Sequence, residues 1–167
     1  MRTYLLQDLV RVRQHREEEA GERVARARRV LKEAQAALAR TRQALADYVV
    51  WRVGEERRML DGLMRRVLKL GELADVRQDI ALLRDREFEL VDHVKQAEAA
   101  VTQAEARLEE CRLQHAQAVR DLEKLFEHRA LWQREVTHET ERAEEAEFED
   151  FSTPVTRSGP GDHHERN

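Results

Sequence analysis

The side chains with the most chemical potential in this sequence are seven histidines, one cysteine and an acidic stretch near the C-terminus. The histidines stand at 15, 93, 115, 128, 138, 163 and 164, and only the last two are adjacent. A structural zinc site needs four converging nitrogen or sulfur ligands, and this spacing does not supply them. Cys111 and His115 are four residues apart, one helical turn, but both fall in an apolar repeat, where a core thiol and a tolerated imidazole suffice. No G-x-x-x-x-G-K-[ST] run exists to cradle nucleotide phosphates. Neither a nucleophile nor a paired acid and base is held by any pocket-forming segment, so an enzyme is the poorest fit and no cofactor or metal is expected. The segment from Glu139 to Phe151 holds seven acids and one arginine, yet keeps Phe148 and Phe151. That composition suits a solvated helix end or a short docking segment.

The elements that carry these residues follow from composition and period. Of 167 residues, 38% are charged and only 5% aromatic, which disfavours a globular core. Both prolines, Pro154 and Pro160, lie near the C-terminus, so nothing of that kind interrupts a helix before them. A single cysteine excludes an internal disulfide. A net charge of -4 gives no reason to expect nucleic acid as a ligand. Charges break up every apolar run before it could span a bilayer or form a signal peptide. The expectation is a cytoplasmic protein with no direct membrane insertion.

Heptads organise the second half. Val76, Leu83, Leu90, Ala97, Ala104, Cys111, Ala118, Leu125 and Trp132 recur every seven residues. Ile80, Glu87, Val94, Val101, Leu108, His115, Leu122, Arg129 and Val136 form the companion series. The alternation by four and three is the seam of a left-handed coiled coil. The first half carries Val10, Glu17, Val24, Leu31, Leu38, Leu45 and Arg52 at one seam position. Leu6, Arg13, Ala20, Ala27, Ala34, Thr41, Tyr48 and Glu55 occupy the other. Gly54, Gly62 and Gly71 cluster between the halves and would permit a turn.

The predicted fold is therefore all-α, with two long helices forming an antiparallel coiled-coil hairpin over residues 1–151. Arm one covers about 3–60, the tip about 61–73 and arm two about 74–150, followed by a disordered polar tail at 152–167. Antiparallel a-to-d pairing is satisfied when facing residue numbers sum to 135 or differ from it by sevens. At 142, Glu55 would face Glu87 and Arg13 would face Arg129; at 128, Arg13 would meet His115. At 135, Leu38 faces Ala97 and Leu31 faces Ala104, large against small, so 135 is the expected register. Leu31, Leu38, Leu45, Leu83, Leu90, Ala97 and Ala104 then make up the seam of the shaft.

Apolar residues off the seam need another explanation. Near the tip, Val50, Val53, Leu82 and Phe88 take outward positions. At the opposite end Leu5, Val12 and Leu131 point outward, while Leu9 and Phe126 flank the seam. Between the two ends only Val30 and Leu113 interrupt a polar surface. A polar rod with two apolar ends suggests partners at both.

The chain resembles type III secretion central-stalk proteins of the YscO/FliJ-like family. The resemblance rests on the Arg-rich first helix, the tip segment MLDGLMRRVLKLGELADVRQDIALLRDRE, the Ala/Glu/Arg-rich return helix and the closing EAEFEDF. It implies a hairpin like that of a rotary ATPase γ subunit, standing in the pore of a hexameric secretion ATPase and reaching towards the export-gate cytoplasmic domain. It also implies contact with chaperones of secreted substrates, at the cytoplasmic side of the inner membrane. On that resemblance Leu5, Leu9, Val12, Phe126 and Leu131 would meet the ATPase, and Val50, Val53, Leu82 and Phe88 the gate. A generic coiled-coil scaffold and a client-binding secretion chaperone are the alternatives.

Overall fold

The computed structural model describes residues 4–152 except Arg66 and Leu68. Its two helices are α1, Gln7–Met64, and α2, Leu70–Ser152. With 58 and 83 residues, they extend roughly 87 and 125 Å at 1.5 Å per residue. They pack against each other as an antiparallel hairpin. Helices this long hold because each turn adds a seam contact; propensity alone would leave them marginal.

The seam follows the 135 register. Val24, Ala27, Leu108 and Cys111 form one buried cluster, with Leu31 packed against it, as pairing 24 with 111 and 27 with 108 requires. Two helices cover only one stripe of each other, so most of the seam is half-buried. Leu31, Leu38, Leu45, Leu83, Leu90 and Ala97 belong to that class, and Ala104 is fully buried. Burial is deepest towards the N-terminus of α1, where Val10 and Ala20 are both 1% exposed. There the alternation of small and large residues lets the axes approach.

The helices close in on the expected tip, 61–73, from both sides. Gly54, Gly62 and Gly71 are all helical, α1 ending at Met64 and α2 beginning at Leu70. Leu63, near the end of α1, is buried, and such burial favours a helix that continues past the glycines. α2 starts with the backbone N–H of Lys69 donating to Glu72 Oε2 at 3.4 Å, an acid placed to satisfy a free amide and the helix dipole. At the other terminus, the Gln7 amide donates to the Tyr4 carbonyl at 3.1 Å, winding residues 4–6 onto α1. The expected disordered tail, 152–167, lies outside the described residues apart from Ser152, the last residue of α2.

Candidate partner-binding surfaces

At the open end, the Tyr4 ring lies 5.3 Å from the Trp132 ring. Its hydroxyl is 2.8 Å from His128 Nδ1. This aromatic cap closes the seam, and Tyr4 is only 7% exposed. Around it Leu5 is 94% exposed, and Leu9, Val12, Phe126 and Leu131 are exposed too. In the heptad frame Leu5, Leu9 and Val12 take c and g positions, as does Leu131, and antiparallel helices bring those sides together. The four thus share one flank of the rod, while Phe126, at an e position, lies on the other.

α2 outruns its partner. Beyond Trp132 it continues for about 20 residues, roughly 30 Å. From 133 to 149 every residue except Val136 is exposed. Trp132, Val136, Thr137, Thr140 and Ala143 line an open groove along this extension. The acidic segment continues from there, with Phe148 79% exposed.

Several polar seam positions pair across the hairpin rather than interrupting it. Arg13 donates to Asp121 at 3.0 Å, and His115 Nε2 lies 2.7 Å from Glu17 Oε1. In the tip half, Arg52 binds Glu56 at 2.7 Å and also pairs with Glu87 across the seam. Arg84 reaches Glu56 at 3.1 Å. The hydrogen bond from Arg84, reinforced by Arg52, holds the Glu56 carboxyl below the ordinary carboxylate range, against a smaller opposing effect of burial. The hydrogen bond to Glu56 likewise raises the Arg52 guanidinium above its usual value. The Tyr48 hydroxyl donates to the Leu83 carbonyl at 2.9 Å, and its ring stands 5.4 Å from that of Trp51.

Val50, Val53, Leu82 and Phe88 are exposed on the outside of this network. They do not form one patch. Their heptad positions put Val53 and Phe88 on one flank, Leu82 on the opposite one, and Val50 on the back of α1. Sequence reasoning missed Trp51, Leu60, Met64, Val67, Leu70 and Leu73, all at least 40% exposed. Leu60 takes an outward position within the expected first arm, and extending the heptad frame through the expected tip would have placed Met64 outward as well. In the shaft, Val30 and Leu113 are the large exposed apolar residues between 14 and 47 and between 92 and 118.

Among the described residues, no group of three or more His, Cys, Asp or Glu side chains could hold a metal ion. Cys111 is buried in the seam. Among the described residues, no helix is long and apolar enough to cross a membrane.

The comparisons with known proteins agree with one another. The family described as "Type III secretion protein YscO" matches residues 6–154. The crystal structure of the type III secretion protein YscO from Vibrio parahaemolyticus is similar at 29% identity and a TM-score of 0.81, over 88% of this chain and 92% of that one. A putative YscO homologue from Chlamydia trachomatis has the same fold, with 20% identity and a TM-score of 0.75 over 90% of this chain and 93% of that one. No curated protein matches the sequence significantly.

Proposed function

Because this chain belongs to the YscO family of type III secretion proteins, we propose that within type III secretion it acts as a central stalk. In this reading it inserts into the hexameric secretion ATPase, coordinates that enzyme and links it to the export gate. The observation that carries the reading is the distribution of exposed apolar side chains, concentrated at both ends of a rod whose shaft is polar. Leu5, Leu9, Val12, Phe126 and Leu131 are the proposed ATPase contacts. Val50, Val53, Leu82 and Phe88 are the proposed gate contacts.

The mechanism is mechanical. A two-helix rod has no six-fold symmetry, so inside a hexameric ring it meets the six subunits unequally. Contact of that kind favours one subunit's nucleotide state over its neighbours', which is a population shift set by differential affinity. A stiff hairpin then couples that bias to whatever its tip engages. Hydrolysis belongs to the partner, and chaperones of secreted substrates are further proposed partners. Titrating the purified chain into the cognate ATPase tests the reading. Turnover should rise at substoichiometric amounts, and unchanged turnover with binding separately demonstrated would reject the stalk role.

A further inference from the structure

Met64 is the last residue of α1, Leu70 is the first of α2, and Val67 stands between them. Because the helices are antiparallel, these three residues mark one end of the rod. They are 87%, 89% and 99% exposed respectively. The adjacent Leu63 is buried, so the seam takes in one apolar side chain here and leaves the other three in water.

Cations stand among them. Arg65 and Lys69 are exposed and make no ion pair among the described residues. Between Asp61 and Glu72 the sequence holds no acid, and Glu72 accepts the Lys69 backbone amide. The chain carries a net charge of -4, but its densest acidic run begins at Glu139. That is roughly 100 Å from Leu70 along α2, against a screening length of about 8 Å at physiological salt. The acidic end therefore does not cancel the cations at this one.

Shape and residue type select the occupant. The nearby groove is lined by Gly54, Arg57, Arg58, Asp61, Gly62 and Arg65, so it offers no apolar wall to a partner's anchor. The apex itself is convex, and its anchors are Met, Val and Leu. Protein-binding hot spots favour Trp, Tyr and Arg and under-use Leu and Val. A bilayer interface needs no matching pocket: it takes aliphatic side chains at acyl depth while Arg and Lys reach its headgroups.

We propose that Met64, Val67 and Leu70, with Arg65 and Lys69, form a lipid-contact site that docks the hairpin end-on at an anionic bilayer surface. The contact is interfacial; neither helix crosses the membrane. It goes beyond the stalk reading and does not depend on it. Val53 lies about 17 Å behind Met64 along α1, so the flank assigned to the gate stays clear of the lipid.

The test is sedimentation of the full chain with vesicles of phosphatidylcholine and phosphatidylglycerol, against phosphatidylcholine alone. Binding should be at least tenfold weaker without the anionic lipid, and should fall as salt rises. Met64→Glu with Leu70→Glu should weaken it at least tenfold, as should Arg65→Glu with Lys69→Glu. Both pairs should keep wild-type helicity and ATPase stimulation, since all four side chains are exposed at the end away from the proposed ATPase contacts. In a Cys111→Ala background, an environment-sensitive fluorophore on Val67→Cys should shift to the blue on vesicles, and one on Leu113→Cys in the shaft should not. A wild-type chain that ignores anionic vesicles overturns the inference, as does unaltered binding by both charge pairs. Loss of binding to the export-gate cytoplasmic domain in the Met64 and Leu70 pair, with no vesicle binding by the wild type, would make the apex a protein contact and overturn the lipid site. ATPase stimulation would leave the stalk reading standing in each of these cases.

Discussion

Glu17 and His115 meet across the seam, Oε1 to Nε2 at 2.7 Å, although 98 residues separate them in the chain. Both interrupt an apolar heptad series, and the imidazole also packs 3.6 Å from where a Cβ on Gly21 would lie. The two polar entries are therefore one feature. Sliding the arms by a heptad to the 142 alignment would set the two about 15 Å apart along the axis, so the pair excludes that alignment.

Removing one partner should cost more than removing both. His115→Ala leaves the half-buried Glu17 without its contact and should destabilise the hairpin by about 1 kcal/mol. Glu17→Leu combined with His115→Leu should recover most of that loss, since apolar replacement of a paired polar contact is often neutral or better. Thermal or urea unfolding of the single and double variants measures the coupling. Strictly additive losses would mean that the pair does not act as a unit.

The alignment of the shaft can be read covalently. With Cys111→Ala as background, Leu38→Cys and Ala97→Cys should form a disulfide within one chain, and a slower-migrating dimer should be absent. Bridging only between chains would replace the hairpin by an intermolecular coil.

Acid should loosen the tip half first. Arg84 and Arg52 hold the Glu56 carboxyl below its ordinary range, so its stabilisation is fully present above the unfolded value of about 4.3 and disappears as pH falls through the lower folded value. The expected result is a thermal midpoint that drops below about pH 4.3 in the wild type. Glu56→Gln should lower the midpoint at neutral pH and make this drop shallower. A variant with the wild-type acid profile would assign the acid sensitivity to other carboxylates.

The two ends should be separable. Leu9→Glu with Leu131→Glu places two charges on the flank those residues share at the open end, and should remove ATPase stimulation while gate binding persists. Val53→Asp with Phe88→Glu should do the reverse. Helicity should survive in both, because these four positions lie outside the seam that supplies most coiled-coil stability. Losing an apolar anchor commonly costs at least about 1 kcal/mol, so each pair should shift affinity tenfold or more. Wild-type behaviour of both pairs in both assays would leave the exposed apolar ends without a role in binding.

The amino-acid sequence determined the two helices and their seam faces, because heptad period is a local property that long repetition makes unambiguous; it narrowed the register only to alignments seven residues apart, among which charge and side-chain size favoured 135. Leu31 against the Val24–Leu108 cluster could be read from numbering alone, as could the exposure of Val50, Phe88 and Leu131. What the sequence left open was decided by contacts between arms. Glycine favours a turn locally, yet α1 stays helical past Gly62 to Met64, with Leu63 buried near its end. The same contacts decided which polar residue answers which: Glu17 to His115, Arg13 to Asp121, and Arg52 to Glu87. Side-chain reach and rotamer settle those pairings, and residue spacing does not encode them. Because α1 continues to Met64, that side chain stands outward, 87% exposed, a position that packing between the arms sets and local glycine preference does not.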